Sequence, residues 1–183
     1  MYDKQKMIDA TRLFLEAIGE DPEREGLKET PERVAKMYGI LLDGYNQNAK
    51  DHLKVFTEKT RNMVIVKDIP LYSFCEHHIV LMAGKVSIAY VPDGKVLGLS
   101  KLVRVARVYA KRLQLQERLT DQIAEALDEA LLPKGVAVTV EMEHFCMSIR
   151  GVRTPGAKTV TTRLTGVFLQ KPEVREEFFN SLK

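Results

Sequence analysis

The sequence predicts an α+β fold: an antiparallel sheet with two helices packed on one face, preceded by an N-terminal helical arm. Two observations carry that prediction. Apolar residues follow helical spacing up to residue 45, change to strand alternation near residue 63, and return to helical spacing between about 100 and 132. Strands are thus grouped on either side of a helical pair, the order of a sheet with helices segregated to one face rather than of alternating βαβ units. A chain of 183 residues can bury a sizeable core. It divides on this reading into an arm at 1–50 and a sheet domain at 60–183.

The elements follow in order. Met7, Ala10, Phe14 and Ile18 recur at helical spacing and predict a first helix. The polar stretch GEDPEREGLKET ends it, and Thr30 before Pro31 reads as an N-cap with proline at the first helical position. Val34, Tyr38, Leu41, Leu42 and Tyr45 form the apolar stripe of that second helix, and 46–60 reads as a loop holding a solvated His52. MVIVKDI reads as a strand. GKVSIAYV alternates Val86, Ile88 and Tyr90 with Lys85, Ser87 and Ala89, and PDG is a turn before KVLGL. Helices are expected at 100–113 and 116–132, strands in GVAVTVEMEHF and KTVTTRLTGVFLQ, and a closing helix opened by Pro172. One sheet face would remain bare of helices, which favours association between copies.

Composition excludes several classes. A hydrophobic fraction of 45% with 29% charged residues is that of an ordinary globular protein. No apolar run approaches the roughly 18 residues of a membrane span. The N-terminus mixes charges into its helical pattern and has no apolar secretory centre, so a reducing cytoplasm is expected. A net charge of +3 says little about partners; where the basic residues fall says more.

Chemistry concentrates in two short segments. SFCEHHIV carries Cys75, His77 and His78, and EHFCMS carries His144 and Cys146, which together hold both cysteines and three of the four histidines. If the second strand continues, His144 and Cys146 share a face, because side chains at i and i+2 point the same way. Thiolate with imidazole suits zinc, and three protein ligands would leave a position for water. A helical turn at 75–78 would pair Cys75 with His78, whereas an extended segment would pair Cys75 with His77. The plainer alternative is two buried, reduced cysteines beside structural histidines. A Cys75–Cys146 disulfide is disfavoured in a cytoplasmic protein.

A second group is basic. In LGLSKLVRVARVYAKRL, Ser100 sits where an N-cap belongs, and with Lys101 and Arg104 it could cradle a phosphate at a helix N-terminus. A solvated basic face is the competing reading, and the preferred one for Arg107 and Lys111. Neither GxxxxGK[ST] nor GxGxxG occurs. Gln116 and Glu117 open the next helix, where a buried carboxylate could accept two N–H bonds from guanine and an exposed helix-start glutamate is the commoner case. Arg150 and Arg153 could grip phosphate or coat a loop.

With these residues in view, the chain resembles GTP cyclohydrolase I. The motifs are TPERVAKMY, LYSFCEHHIVLMAGKVSIAYVP, VLGLSKLVR, RLQLQERLT, HFCMSIRG and KTVTTRLTG, in the family's order over nearly all of 30–170. The resemblance implies the tunnelling fold, or T-fold, with sheets joined into a barrel and subunits stacked as a toroidal homodecamer. It implies zinc on Cys75, His78 and Cys146, with His77 and His144 as catalytic groups moving protons. It assigns the triphosphate to Ser100, Lys101, Arg104 and Arg150, with Arg33 from a neighbouring subunit, and guanine to Glu117 with Gln116 beside it. The reaction implied converts GTP and water to formate and 7,8-dihydroneopterin triphosphate, beginning at C8 of the base. RTPGAKTVTTR departs from some members, so no ligand role passes to residues 159–162, and the short N-terminus implies no long regulatory extension.

Two rival readings differ in chemistry. A related T-fold nitrile reductase of queuosine biosynthesis uses a cysteine nucleophile and nicotinamide without zinc, against which the second cysteine argues. A zinc-stabilised nucleic-acid binder would use the basic helix and bind in a strongly salt-dependent way. The expected partners are instead GTP and further copies of the chain, with neither nucleic acid nor membrane. The zinc deaminase signature H-x-E…P-C-x-x-C is missing.

Overall fold

The computed structural model describes residues 2–183. Two helices, α1 (Lys4–Ala17) and α2 (Thr30–Leu41), form a packed pair at the N-terminus. The Asp3 carboxylate caps α1 by accepting from the Lys6 N–H. Thr30 is not the cap of α2 but already helical, with Glu29 before it and no side-chain cap bond. A preceding turn, closed by Thr30 N–H on Leu27 O at 2.8 Å, feeds straight into the helix and makes a side-chain cap unnecessary. The buried side of α1 is Thr11 and Leu15, whereas Phe14 and Ile18 stand in solvent. Helical spacing located this helix but pointed to a face that a single chain does not cover.

The strands are β1 (Val55–Thr57), β2 (Val64–Cys75), β3 (Leu81–Val91), β4 (Lys95–Leu97), β5 (Leu113–Gln114), β6 (Gly135–His144) and β7 (Lys158–Leu164). The later helices are α3 (Leu99–Ala110), α4 (Gln116–Leu131), α5 (Phe145–Ser148), α6 (Val167–Gln170) and α7 (Pro172–Ser181). The main sheet runs β5-β2-β3-β6-β7, antiparallel except for the short parallel pairing of β5 with the end of β2. Residues 46–60 are not simply a loop: β1 pairs with β4, and a helical turn at Ala49–His52 leaves His52 half-buried against Gln47.

A bulge at Lys67 and Asp68 resets β2, so Val64 and Val66 before it share a face with Ile69, Leu71, Ser73 and Cys75 after it. Asp68 adopts φ 56°, its N–H bonds Ser87 Oγ, and its carboxylate pairs with Lys85. That face, with Val86, Ile88 and Tyr90 of β3 and Val136, Val138, Val140 and Met142 of β6, packs under α3 and α4. Leu102, Ala106, Leu119, Ile123 and Leu127 reach down from the helices. Fully burying side chains of this size contributes about 1.5–3 kcal/mol each.

The opposite face is not wholly bare. The run after residue 164 is no strand: Gly166 (φ 50°) turns the chain into α6 and α7, whose Phe168 and Phe178 cover Ala89 and Ala137. The rest of that face is mixed, with ion pairs Lys85–Asp68 and Lys158–Glu141 beside exposed Tyr72 and Val160. No helix among the described residues is long and apolar enough to cross a membrane.

At Gly84 the paired strand β6 leaves no room for a side chain. A Cβ there would lie 1.9 Å from Glu141 O and 2.7 Å from Met142 Cα, both main-chain atoms of the paired strand. Gly84→Ala is expected to destabilise the fold by about 2–4 kcal/mol, read as a lower midpoint of chemical unfolding. An unchanged midpoint would show that the ladder shifts to accommodate a methyl group.

Candidate metal centre and active site

The sheet delivers both cysteines to one end of the molecule. The register sets Ser73 beside Met82 and Met82 beside His144, so β2 and β6, the two neighbours of β3, both end here, with Cys75 as the last residue of β2 and Cys146 two residues past the end of β6. Residues 75–80 form a tight turn, with Ile79 N–H on Cys75 O at 2.9 Å and Cys75 N–H on Val80 O at 3.0 Å. Ile79 holds φ 53°, a left-handed conformation uncommon for a β-branched residue. The turn turns His78 back toward Cys75, with Cys75 Sγ 3.9 Å from His78 Nδ1, and leaves His77 exposed.

On the second segment the strand does not continue as expected. It ends at His144, and the helical turn α5 swings Cys146 off the strand face. His144 and Cys146 therefore point differently. The ligand atoms of Cys75, His78 and Cys146 all lie within 4.8 Å of one another, and no fourth Cys, His, Asp or Glu of the described residues joins them. A tetrahedral shell with sulfur about 2.3 Å from the metal places two sulfurs about 3.8 Å apart, so the group can hold a metal ion. Both thiols are free. Burial, then the neighbouring Cys75 sulfur, pushes the Cys146 thiol above its ordinary range, while the Arg150 charge opposes this. A thiol kept from ionising beside a second sulfur is a donor whose charged form a bound cation would favour.

Gln116 lies elsewhere than expected. It is only 1% exposed, and its amide is fully engaged inside the chain. Its Nε2 donates to Val140 O and Thr159 O, each at 3.0 Å, with Thr161 Oγ1 at 3.1 Å. Two carbonyls can only accept, so the amide nitrogen must face them and Oε1 must face His144 Nε2, at 2.7 Å. The Gln116 side chain thus meets His144 inside the chain and does not face outward beside Glu117. Burial lowers the His144 pKa below its ordinary value, with the Glu117 charge opposing, which also sets Glu117 close to this ring. Glu117 itself is exposed at the start of α4.

The basic residues separate into two places. Arg150 lies near Cys146. Ser100, Lys101 and Arg104 belong to the start of α3, where Gly98, not Ser100, occupies the cap position and Ser100 sits exposed in the first turn. The far end of α3 leads into β5, which pairs with Phe74 and Cys75; its start follows β4, where Leu97 N–H bonds Tyr90 Oη. Ser100 is thus about 15 Å along the helix from the end nearest the metal group. Arg33, on α2, is exposed and pairs with Glu29. One chain does not gather these groups around the cysteines.

One feature was not signalled by the sequence. Arg118 clasps Glu76 with both nitrogens of its fork, at 2.6 and 3.1 Å. Arg118 holds the Glu76 carboxyl below the ordinary range. Neither residue carries a periodic or motif signal that would pair them across 42 positions.

Three sulfur and nitrogen donors at the end of an antiparallel sheet, with a histidine locked beside them and a carboxylate at a helix start, define a candidate metal-dependent enzyme site. The chain belongs to the GTP cyclohydrolase I family, whose model matches residues 7–183. It is 55% identical over 179 residues to GTP cyclohydrolase 1 of Carboxydothermus hydrogenoformans, covering 97% of this chain and 93% of that one. It is 55% identical over 183 residues to GTP cyclohydrolase 1 of Aquifex aeolicus, covering 99% and 97%. GTP cyclohydrolase 1 of Pelotomaculum thermopropionicum is 54% identical over 185 residues, covering 100% and 98%. Among solved structures, the apo form of an archaeosine synthase QueF-Like matches 59% of this chain and 97% of its own at 22% identity, with a TM-score of 0.47.

Proposed function

We propose that this chain is a GTP cyclohydrolase, converting GTP and water to formate and 7,8-dihydroneopterin triphosphate, the first step of pterin and tetrahydrofolate synthesis. The observation that carries the reading is the convergence of Cys75, His78 and Cys146 in a chain of this family. On this reading the three residues hold zinc, which when bound supplies a Lewis acid and water activated near neutral pH.

The protein groups act around that centre. Glu117 accepts N–H bonds from the guanine edge. His144, its Nε2–H committed to Gln116 Oε1, keeps the Nδ1 lone pair free in the neutral ring and takes a proton there. His77, exposed beside His78 with ring centroids 6.2 Å apart, is the second proton carrier. Arg150 offers positive charge beside Cys146 for the triphosphate. Ser100, Lys101, Arg104 and Arg33 complete the triphosphate cradle from neighbouring copies, since their own chain sets them away from its cysteines. The site is therefore shared between subunits, in keeping with a toroidal homodecamer. Reduced, unpaired thiols suit a cytoplasmic location.

The test is incubation with GTP, read as formate release and as pterin fluorescence after oxidation, with and without a chelator. Metal-dependent appearance of both products is expected. Unchanged GTP with a fully metal-loaded protein would overturn the reading, and nitrile reduction with nicotinamide in a metal-free protein would favour the reductase instead.

A further inference from the structure

The clasp between Glu76 and Arg118 has no part in the chemistry above, yet it joins the two halves of the site. Glu76 lies between Cys75 and His77, and Arg118 directly follows Glu117. The two bonds, at 2.6 and 3.1 Å, end on different oxygens of one carboxylate. A fork on a carboxylate fixes angle as well as distance, which a single lysine bond would not. The other bonds of the turn, Ile79 to Cys75 and Cys75 to Val80, are internal to it and do not tie it to α4. Its remaining backbone tie is Glu76 N–H on Gln114 O at 3.1 Å, and none of these main-chain bonds is made by His77 or His78.

We propose that Glu76 and Arg118 are a positioning pair that sets the metal-holding turn relative to the carboxylate that reads guanine. The proposal rests on the functional reading of Cys75, His78, Cys146 and Glu117. Both side chains are partly exposed, 32% for Glu76 and 43% for Arg118, and an ion pair in such a setting adds little to folding stability. Its directionality is therefore available to geometry. Loss of the pair loosens the turn and misplaces the base with respect to the ion, while the fold persists.

The experiment compares Glu76→Ala, Arg118→Ala, the double variant and Arg118→Lys in the full-length protein. Each alanine variant is expected to lower kcat/KM for GTP about 10-fold, with KM raised and kcat lowered together. The double variant should be no worse than either single, and Arg118→Lys should recover little, because it keeps the charge without the fork. In cobalt-loaded protein, the thiolate-to-cobalt absorption should decay several-fold faster under chelator in the same non-additive way. Midpoints of chemical unfolding should match the parent. Single variants within twofold of the parent in both readouts, additive losses in the double, or losses that track a lowered unfolding midpoint would each overturn the proposal. A parent that binds cobalt yet leaves GTP intact would sink the functional reading instead, and the metal-release comparison would still decide whether the pair steadies the turn.

Discussion

Cys146→Ala is expected to lower GTP turnover about 1,000-fold or more and to remove tight metal binding. Loss of a group that merely supports a ligand costs about 10- to 100-fold in affinity or activity; loss of the ligand itself leaves Cys75 and His78 as two donors, too few for a three-coordinate protein site. Cys146 is only partly buried and lies in a short helical turn at the sheet end, so the core beneath α3 and α4 is left intact. The same variant tests how the site is assembled. Arg104→Ala should also be inactive, for want of a triphosphate contact. If the cysteines of one copy work with the α3 start of another, co-assembly of the two dead proteins restores sites made from the intact half of each. Random mixing yields about a quarter of the sites intact, and activity should return to that order. Recovery absent from a mixed oligomer of proven composition would mean that Arg104 and Cys146 serve the same site from the same chain.

Much of this arrangement was legible in the sequence, for reasons that differ by element. Val86, Ile88 and Tyr90, and Val136 to Met142, alternate cleanly because both central strands face α3 and α4, and alternation is what one buried face imposes. The meeting of Cys75, His78 and Cys146 was foreshadowed by the clustering of cysteine with histidine in two segments. The turn at 75–78 became unambiguous only in three dimensions, since spacing allows a helical or an extended path. The failures have physical causes too. Strand periodicity was carried two residues too far, past His144, because nothing in FCMS announces that a helical turn begins there. Met7, Ala10, Phe14 and Ile18 recur at helical spacing, yet α1 buries Thr11 and Leu15, because apolar spacing marks a helix without saying which side its partner covers. Ser100 and Thr30 looked like caps because serine and threonine usually are; backbone turns took over that task at both helices.

Gln116 shows most clearly what adjacency in sequence hides, and it leads to the second large effect. Beside Glu117 at a helix start it looked like part of a base-reading pair, but the helix turns adjacent residues about 100° apart, and Gln116 points into the core while Glu117 points out. Gln116→Leu keeps the shape and deletes the polarity. His144 Nε2–H then loses its acceptor, and the ring is free to flip or to move its proton to Nδ1, the atom that must stay vacant to accept one. Turnover is expected to fall about 100-fold, the scale of a misplaced acid–base group, while KM for GTP changes little because the Gln116 side chain is buried against its own chain. Folding should also weaken, by about 1–3 kcal/mol, since Val140 O and Thr159 O lose their donor. The pH dependence separates the two effects. Burial lowers the His144 pKa, so its neutral form in the folded chain persists below the ordinary value of about 6.5. The stability tied to that neutral ring is complete above this value and drains away as pH falls toward the depressed one. A leucine that merely destabilised the protein would lose activity in step with unfolding. A leucine that unfixes the tautomer loses kcat at pH 8, where the protein is fully folded, and nitrogen NMR of the His144 ring should then report a mixture of Nδ1–H and Nε2–H forms in place of the single Nε2–H form. A variant with parental kcat and a single Nε2–H signal would leave Gln116 a structural residue alone.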